Sequence, residues 1–126
     1  MSTEDAGSTG SPSAPTTGAT RRVGQVIGLA DGALEEYARL HADVWPGVLD
    51  TLRRAHIRNY SIYRHGDLLF SYFEYTGDDY EADLATIAAD PVTQEWWRHT
   101  DPLQRTLRER PEDPWWTPME ELFHLD

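Results

Sequence analysis

Two short stretches carry the side chains best able to do chemistry: Tyr37-Ala38-Arg39-Leu40-His41-Ala42-Asp43-Val44-Trp45-Pro46 and Gln94-Glu95-Trp96-Trp97. Both concentrate large aromatics and a titratable imidazole where a core would use Leu, Ile and Val. Residues four apart on a helix share a face, so Tyr37 and His41 point the same way. Trp96 and Trp97 supply flat apolar walls with indole N–H donors. Together with Tyr60 they would line a pocket on the open face of a sheet. A sugar has an apolar C–H face that packs on an indole and a rim of hydroxyls that need donors and acceptors, and Tyr, Trp and His supply both.

An imidazole with an ordinary pKa near about 6.5 gives and takes protons at neutral pH. That suffices for an easy reaction such as mutarotation. The ring oxygen is protonated, the anomeric hydroxyl loses its proton, the ring opens, the carbonyl turns, and the steps reverse on the other face. No metal, redox cofactor or covalent intermediate is needed, which suits a chain without cysteine or a Gly-rich phosphate loop. No carboxylate pair at the separation glycoside hydrolysis needs is singled out by the sequence. The bland readings stand beside these. A Tyr four residues from a His is also ordinary helix packing, and Tyr60 alone is an ordinary sheet aromatic. Adjacent tryptophans cannot share one narrow helical stripe, so one of Trp96 and Trp97 faces something else, which could equally be an interface between copies.

The other histidines are weaker candidates. His65 falls in an expected turn, and His56 and His99 fall near helix ends, where a cation meets the helix dipole favourably. His124 sits on an expected last strand from which it could reach a pocket. No two histidines stand at i, i+4, so a metal site is not expected. Glu35-Glu36, Asp78-Asp79 and Glu120-Glu121 read as solvated or capping charge.

The elements that must position these residues follow from periodicity. Arg22–Leu29 reads as a short buried strand closed by Ala30-Asp31-Gly32. Leu34, Tyr37, Leu40, Val44, Val48, Leu49 and Leu52 recur at helical steps, interrupted at Pro46 by a kink or a fresh start. His41 then lies just before the break, where its side chain can be aimed sideways into a cavity. Asn59–Arg64 and Leu68–Tyr75 form a hairpin across His65-Gly66-Asp67. Thr76-Gly77-Asp78-Asp79 offers a cap for a helix over about Tyr80–Ala89, with Leu84 and Ile87 inward, and Asp90-Pro91 starts a short helix carrying Trp96 and Trp97. Residues 108–118 are Pro-rich and irregular, and Met119–Leu125 reads as a last strand. The order β-α-β-β-α-β is the ferredoxin-like split arrangement, an α+β fold with helices on one face of an antiparallel sheet.

Composition narrows the function. In residues 1–20, seventeen are Ser, Thr, Gly, Ala or Pro, too little apolar surface to order a chain, so they read as a disordered tail ahead of one folded domain over 21–126. No segment reads as a secretory leader or a membrane span, and a cytoplasmic protein is expected. A net charge of −11 repels nucleic acid and anionic membranes and leaves small neutral ligands compatible. A domain this small leaves much apolar surface uncovered, so a homodimer is expected.

With these residues in view, the chain resembles the L-rhamnose mutarotase family from about Val23 to Leu125. The likeness rests on Glu35-Glu36-Tyr37 running to His41, on Trp45-Pro46, on Asn59-Tyr60-Ser61-Ile62-Tyr63, on Trp96-Trp97 and on Glu121-Leu122-Phe123-His124-Leu125. It implies a dimeric ferredoxin-like protein, of the dimeric α/β-barrel type, that interconverts the anomers of L-rhamnose without a cofactor in the cytoplasm. It also implies His41 as proton donor and Tyr37, Tyr60, Trp96 and Trp97 as sugar-binding residues. Two features depart from the family pattern: the Ser/Thr/Gly-rich tail, and a second tryptophan pair in Arg110-Pro111-Glu112-Asp113-Pro114-Trp115-Trp116, which could alter substrate choice if it closes over the pocket. The rival readings are a mutarotase for another 6-deoxy sugar such as L-fucose, a dimeric ferredoxin-like monooxygenase, and a non-catalytic small-ligand-binding or dimerisation module.

Overall fold

A computed structural model describes residues 20–126; apart from Thr20, the tail expected over residues 1–20 lies outside them. Strand β1 (Arg21–Leu29) leads to helices α1 (Leu34–His41) and α2 (Pro46–Arg54), then to the hairpin of β2 (Ile57–His65) and β3 (Leu68–Tyr75). Helices α3 (Tyr80–Ala89) and α4 (Pro91–Thr100) follow, and a single 3-10 turn leads to the short strands β4 (Gln104–Arg105) and β5 (Thr117–Met119). The antiparallel sheet runs β2-β3-β1-β4, with β5 also paired to β1. This is the expected ferredoxin-like α+β arrangement, with each of its two helical segments divided into two helices.

Each division has a local cause. Pro46 cannot continue α1 and instead occupies the first position of α2, behind Trp45 in the extended conformation that a residue before proline prefers (φ −61°, ψ 135°). Asp79 caps α3 by accepting from the backbone N–H of Ala82. Asp90 ends α3 and caps α4, taking the N–H of Thr93 at 2.8 Å ahead of Pro91. The β2–β3 turn has Gly66 at φ 62°, as the hairpin requires.

Helices cover one face of the sheet. Along β3, Leu69, Ser71, Phe73 and Tyr75 are buried while the alternate residues are half-exposed. Tyr37 of α1 packs with Ile27, Leu69 and Trp116, and Tyr80 and Ile87 of α3 pack with Ile57 and Phe73. Leu40, Val48 and Trp96 form a third cluster between α1, α2 and α4. Leu34, at the start of the apolar series, is instead exposed.

The last strand departs from expectation. It is Thr117–Met119, paired with Gly24–Val26 of β1, and not Met119–Leu125. Beyond Met119 the apolar residues lack a period-two pattern, and Leu122, Phe123 and Leu125 stand 79–86 % exposed, without a facing core surface on their own chain. Glu121 reaches back to Arg22 at 2.9 Å. Strand β4 carried no signal because two residues cannot show a period.

Candidate active site

His41 is the last residue of α1, and its ring stacks on Tyr37 one turn earlier, with centroids 4.3 Å apart and planes at 23°. Trp96, from α4, meets the imidazole edge-on at 5.3 Å. On α4, adjacent residues diverge: Trp96 packs into the Leu40–Val48 cluster, and Trp97 lies between that cluster and the one around Phe73. Tyr60 joins them through a β-bulge. The β2–β3 register pairs Arg58 with Glu74 but Ser61 with Tyr72, so one extra residue is accommodated between them, with Asn59 at φ 50°. Without that residue Ile57 and Tyr60, three apart, would face opposite sides of the sheet. With it, Tyr60 turns to the covered face and its ring meets Phe73 at 5.5 Å.

All five side chains singled out in the sequence therefore line one recess, completed by Val48, Leu52, Ile62, Ile87, Thr93, Thr100, Gln104 and Trp116. It lies between the helices and the covered face of the sheet, not on the open face where it was expected. The reason is parity: the tyrosine and the inward core residues of β2 share a side. The remaining histidines are elsewhere. His56 bonds Asp83 at 3.1 Å, His99 pairs with Glu95 at 3.5 Å, His65 is exposed, and His124, off any strand, bonds Asp126 at 2.9 Å. The acidic pairs serve surface and caps, with Glu36 on Arg39, Asp79 on α3 and Glu121 on Arg22. Among the described residues, no group of three His, Cys, Asp or Glu side chains is placed to hold a metal ion.

The electrostatics of the recess follow from burial. His41 Nδ1 lies 2.9 Å from the carbonyl oxygen of Tyr37. A carbonyl can only accept, so Nδ1 carries the hydrogen and Nε2 is left as the nitrogen able to exchange protons. Burial holds the imidazole below its ordinary 6.5, against the opposing pull of that carbonyl, so the ring is neutral and basic at neutral pH. Burial pushes the Tyr37 phenol up to about 12, a rise to which the charge of Asp101 adds and which a hydrogen bond from Gln104 opposes. Burial likewise raises the Tyr60 phenol, helped by Tyr37 and Tyr80. Both phenols therefore stay protonated and able to donate.

About 50 Å³ of the recess is free, roughly the share of one or two liquid waters. A pyranose ring enters only with part of its body at the mouth or with rim side chains turned aside. A larger groove of about 370 Å³, lined by Leu49, Leu52, Arg53, Ile57, Arg58, Asn59 and Tyr60, adjoins it through the shared Leu52 and Tyr60. That groove holds none of the proton-exchanging side chains, so the chemistry belongs to the narrower space.

Of the eight lining residues the sequence did not mark as site residues, Trp116 and Gln104 shape the site most. Trp116 is 2 % exposed and forms a wall. It belongs to the second tryptophan pair, whose departure from the family pattern was the signal available. Gln104, on β4, donates from Nε2 to the Tyr37 hydroxyl at 3.1 Å and accepts from Trp115 Nε1 at 2.7 Å. Nothing local to a lone glutamine in a two-residue strand announces this.

A sequence profile of L-rhamnose mutarotase matches residues 22–125. The L-rhamnose mutarotase of Lactiplantibacillus plantarum is 36 % identical over 105 residues, covering 83 % of this chain and 98 % of that one. That of Opitutus terrae is 33 % identical, covering 80 % and 94 %. Among solved structures, an L-rhamnose mutarotase from Formosa agariphila superposes with a TM-score of 0.67 at 22 % identity, over 84 % of this chain and 99 % of that one. Tetracenomycin F2 cyclase from Streptomyces glaucescens superposes with a TM-score of 0.60 at 17 % identity, over 84 % and 97 %. At such identities the two structures share the fold; the family rests on the sequence matches.

Proposed function

The chain belongs to the L-rhamnose mutarotase family, and on that premise we propose that it interconverts the α and β anomers of L-rhamnose in the recess around His41. The observation that carries this reading is the tautomer: Nδ1–H is tied to the Tyr37 carbonyl, so Nε2 of a neutral imidazole is the reactive atom among sugar-compatible aromatics. Nε2 takes the proton of the anomeric hydroxyl. The C1–O5 bond breaks as the C1–O1 double bond forms, and the imidazolium returns the proton to the ring oxygen. Both oxygens are bonded to C1, so one nitrogen can serve both. The aldehyde turns about C1–C2, and the reverse steps close the ring on the other face. Protons balance, and no group is left covalently changed.

The phenols of Tyr37 and Tyr60 orient the sugar's hydroxyls, and the indoles of Trp96 and Trp97 pack on its C–H face and its methyl group. On this reading the domain over residues 21–126 works as a pair of copies in the cytoplasm. The exposed Leu122, Phe123 and Leu125 favour a second copy to cover them, and a monomer in sedimentation at micromolar concentration would refute the pairing.

The deciding experiment is saturation-transfer NMR between the two anomers of L-rhamnose, with L-fucose as comparison, at trace protein concentration. Catalysed exchange with rhamnose exceeding that with fucose is expected. Exchange with fucose alone would keep the chemistry and change the sugar, and exchange with neither would overturn the reading.

A further inference from the structure

The second tryptophan pair, unused by the reaction so far, leads to Tyr37 through one side chain. Trp115 Nε1 lies 2.7 Å from Gln104 Oε1, and Gln104 Nε2 lies 3.1 Å from the Tyr37 hydroxyl. An indole nitrogen is a donor and never an acceptor. The atom of Gln104 facing Trp115 is therefore its oxygen, and the atom facing Tyr37 is its NH2 group. A lone pair of the phenol is thereby occupied, so the phenol cannot spend its hydrogen on Gln104.

We propose that Trp115 and Gln104 are positioning residues that fix the Tyr37 hydroxyl as a hydrogen-bond donor toward the bound sugar. The inference rests on the role given to Tyr37 above. As C1–O5 breaks, negative charge grows on the ring oxygen, and a phenol whose hydrogen is not used elsewhere among the described residues can meet it. Without the indole, the Gln104 amide could turn its oxygen to Tyr37 and draw the hydrogen away. The bracing parts are held firmly. Gln104 pairs with Leu29 of β1, and Thr106 Oγ1 donates to the Trp115 carbonyl at 2.7 Å, closing the loop that carries the pair. The Arg108 guanidinium lies over the Trp115 ring at 5.2 Å and also holds the Pro111 carbonyl. Trp116, next in sequence, forms the recess wall, so the segment that departs from the family pattern supplies both a wall and the brace.

The test reverses one hydrogen bond while keeping the shape. In Gln104→Glu a carboxylate still accepts from Trp115 but must also accept from Tyr37, taking its hydrogen. At mildly alkaline pH kcat should fall by about 30-fold with KM changed less than about threefold and Tm unchanged. As pH falls toward the carboxyl's pKa, the protonated acid can donate to Tyr37 again. Activity relative to the parent protein, each profile first corrected for its own His41 acid limb, should therefore recover on acidification. In a Tyr37→Phe background the same substitution should cost less than about twofold, as coupled sites require.

Trp115→Phe, which removes the N–H and keeps the ring, should lose about fivefold in kcat by freeing the amide to turn, and it reads the same coupling if the glutamate variant does not fold. A loss in Gln104→Glu that is flat with pH, or equal in the Tyr37→Phe background, would overturn the inference. Full activity in Tyr37→Phe alone would instead remove Tyr37 from the proposed function.

Discussion

Replacing His41 by Gln tests the chemistry most directly, because the structure separates what the side chain contributes to stability from what it contributes to rate. The substitution removes the bond from Nδ1 to the Tyr37 carbonyl, worth about 1 kcal/mol. It also removes ring contacts with Tyr37 and Trp96, worth about 0.5–1.5 kcal/mol each. The sum, about 2–4 kcal/mol, is below the roughly 5–15 kcal/mol of a typical domain, so the variant stays folded with a lowered Tm. The rate should respond far more. Losing the proton-exchanging nitrogen removes about 10²–10⁴ in kcat, or about 3–5 kcal/mol of barrier. Binding loses one hydrogen bond to a hydroxyl, less than about tenfold in KM. Anomer exchange by saturation-transfer NMR at low and saturating sugar separates the two, and thermal melts monitor the fold. A fall in kcat below tenfold, or one matched by the rise in KM, would refute the assignment of Nε2 as the proton carrier.

Other outcomes follow from the same geometry. The imidazole must be neutral to begin, and burial holds its pKa below 6.5, so the acid limb of the rate–pH profile should have its midpoint below 6.5; a midpoint at or above that value would contradict the buried base. The stability linked to His41 has the same sign: the unfolded chain binds this proton more readily, so the contribution is complete above 6.5 and is lost as pH falls through the lower folded value, a slope that His41→Gln should remove from pH-dependent melts. Trp96 is 6 % exposed, so Trp96→Ala should cost about 3–5 kcal/mol in denaturant unfolding, whereas the half-buried Trp97, changed to Phe, should keep the fold and raise KM; an unchanged unfolding midpoint in Trp96→Ala would contradict its placement. In Gly28→Ala the new Cβ would stand 2.7 Å from the Arg105 carbonyl oxygen, forcing β4 outward. That variant should lose about 1–3 kcal/mol of stability together with activity, since Gln104 rides on β4, and wild-type values of both would refute the coupling.

The sequence by itself determined what depends on neighbours a few residues away. The i, i+4 step stacks Tyr37 on His41, Pro46 forces a second helix to begin, Asp79 and Asp90 cap the helices that follow, and Gly66 turns the hairpin. The period of two put Leu69, Ser71, Phe73 and Tyr75 of β3 on one face for the same reason, since side chains on a strand change face at every step, while the packing of the helices decided that this face is the inward one. The tertiary structure decided what depends on register and long-range pairing. Tyr60 reaches the recess because a bulge opposite Phe73 restores its parity with the core, a feature without a signature in the strand's composition. Gln104 meets Tyr37 across 67 residues of chain, because β4 pairs with the end of β1. The recess lies on the covered face for the same reason of parity. The apolar C-terminal residues, read as a strand, stand exposed because a strand exists only where an edge is there to pair with it. Local geometry thus named the reactive pair, and only the assembled sheet and helices supplied the walls and the brace that give the pair its environment.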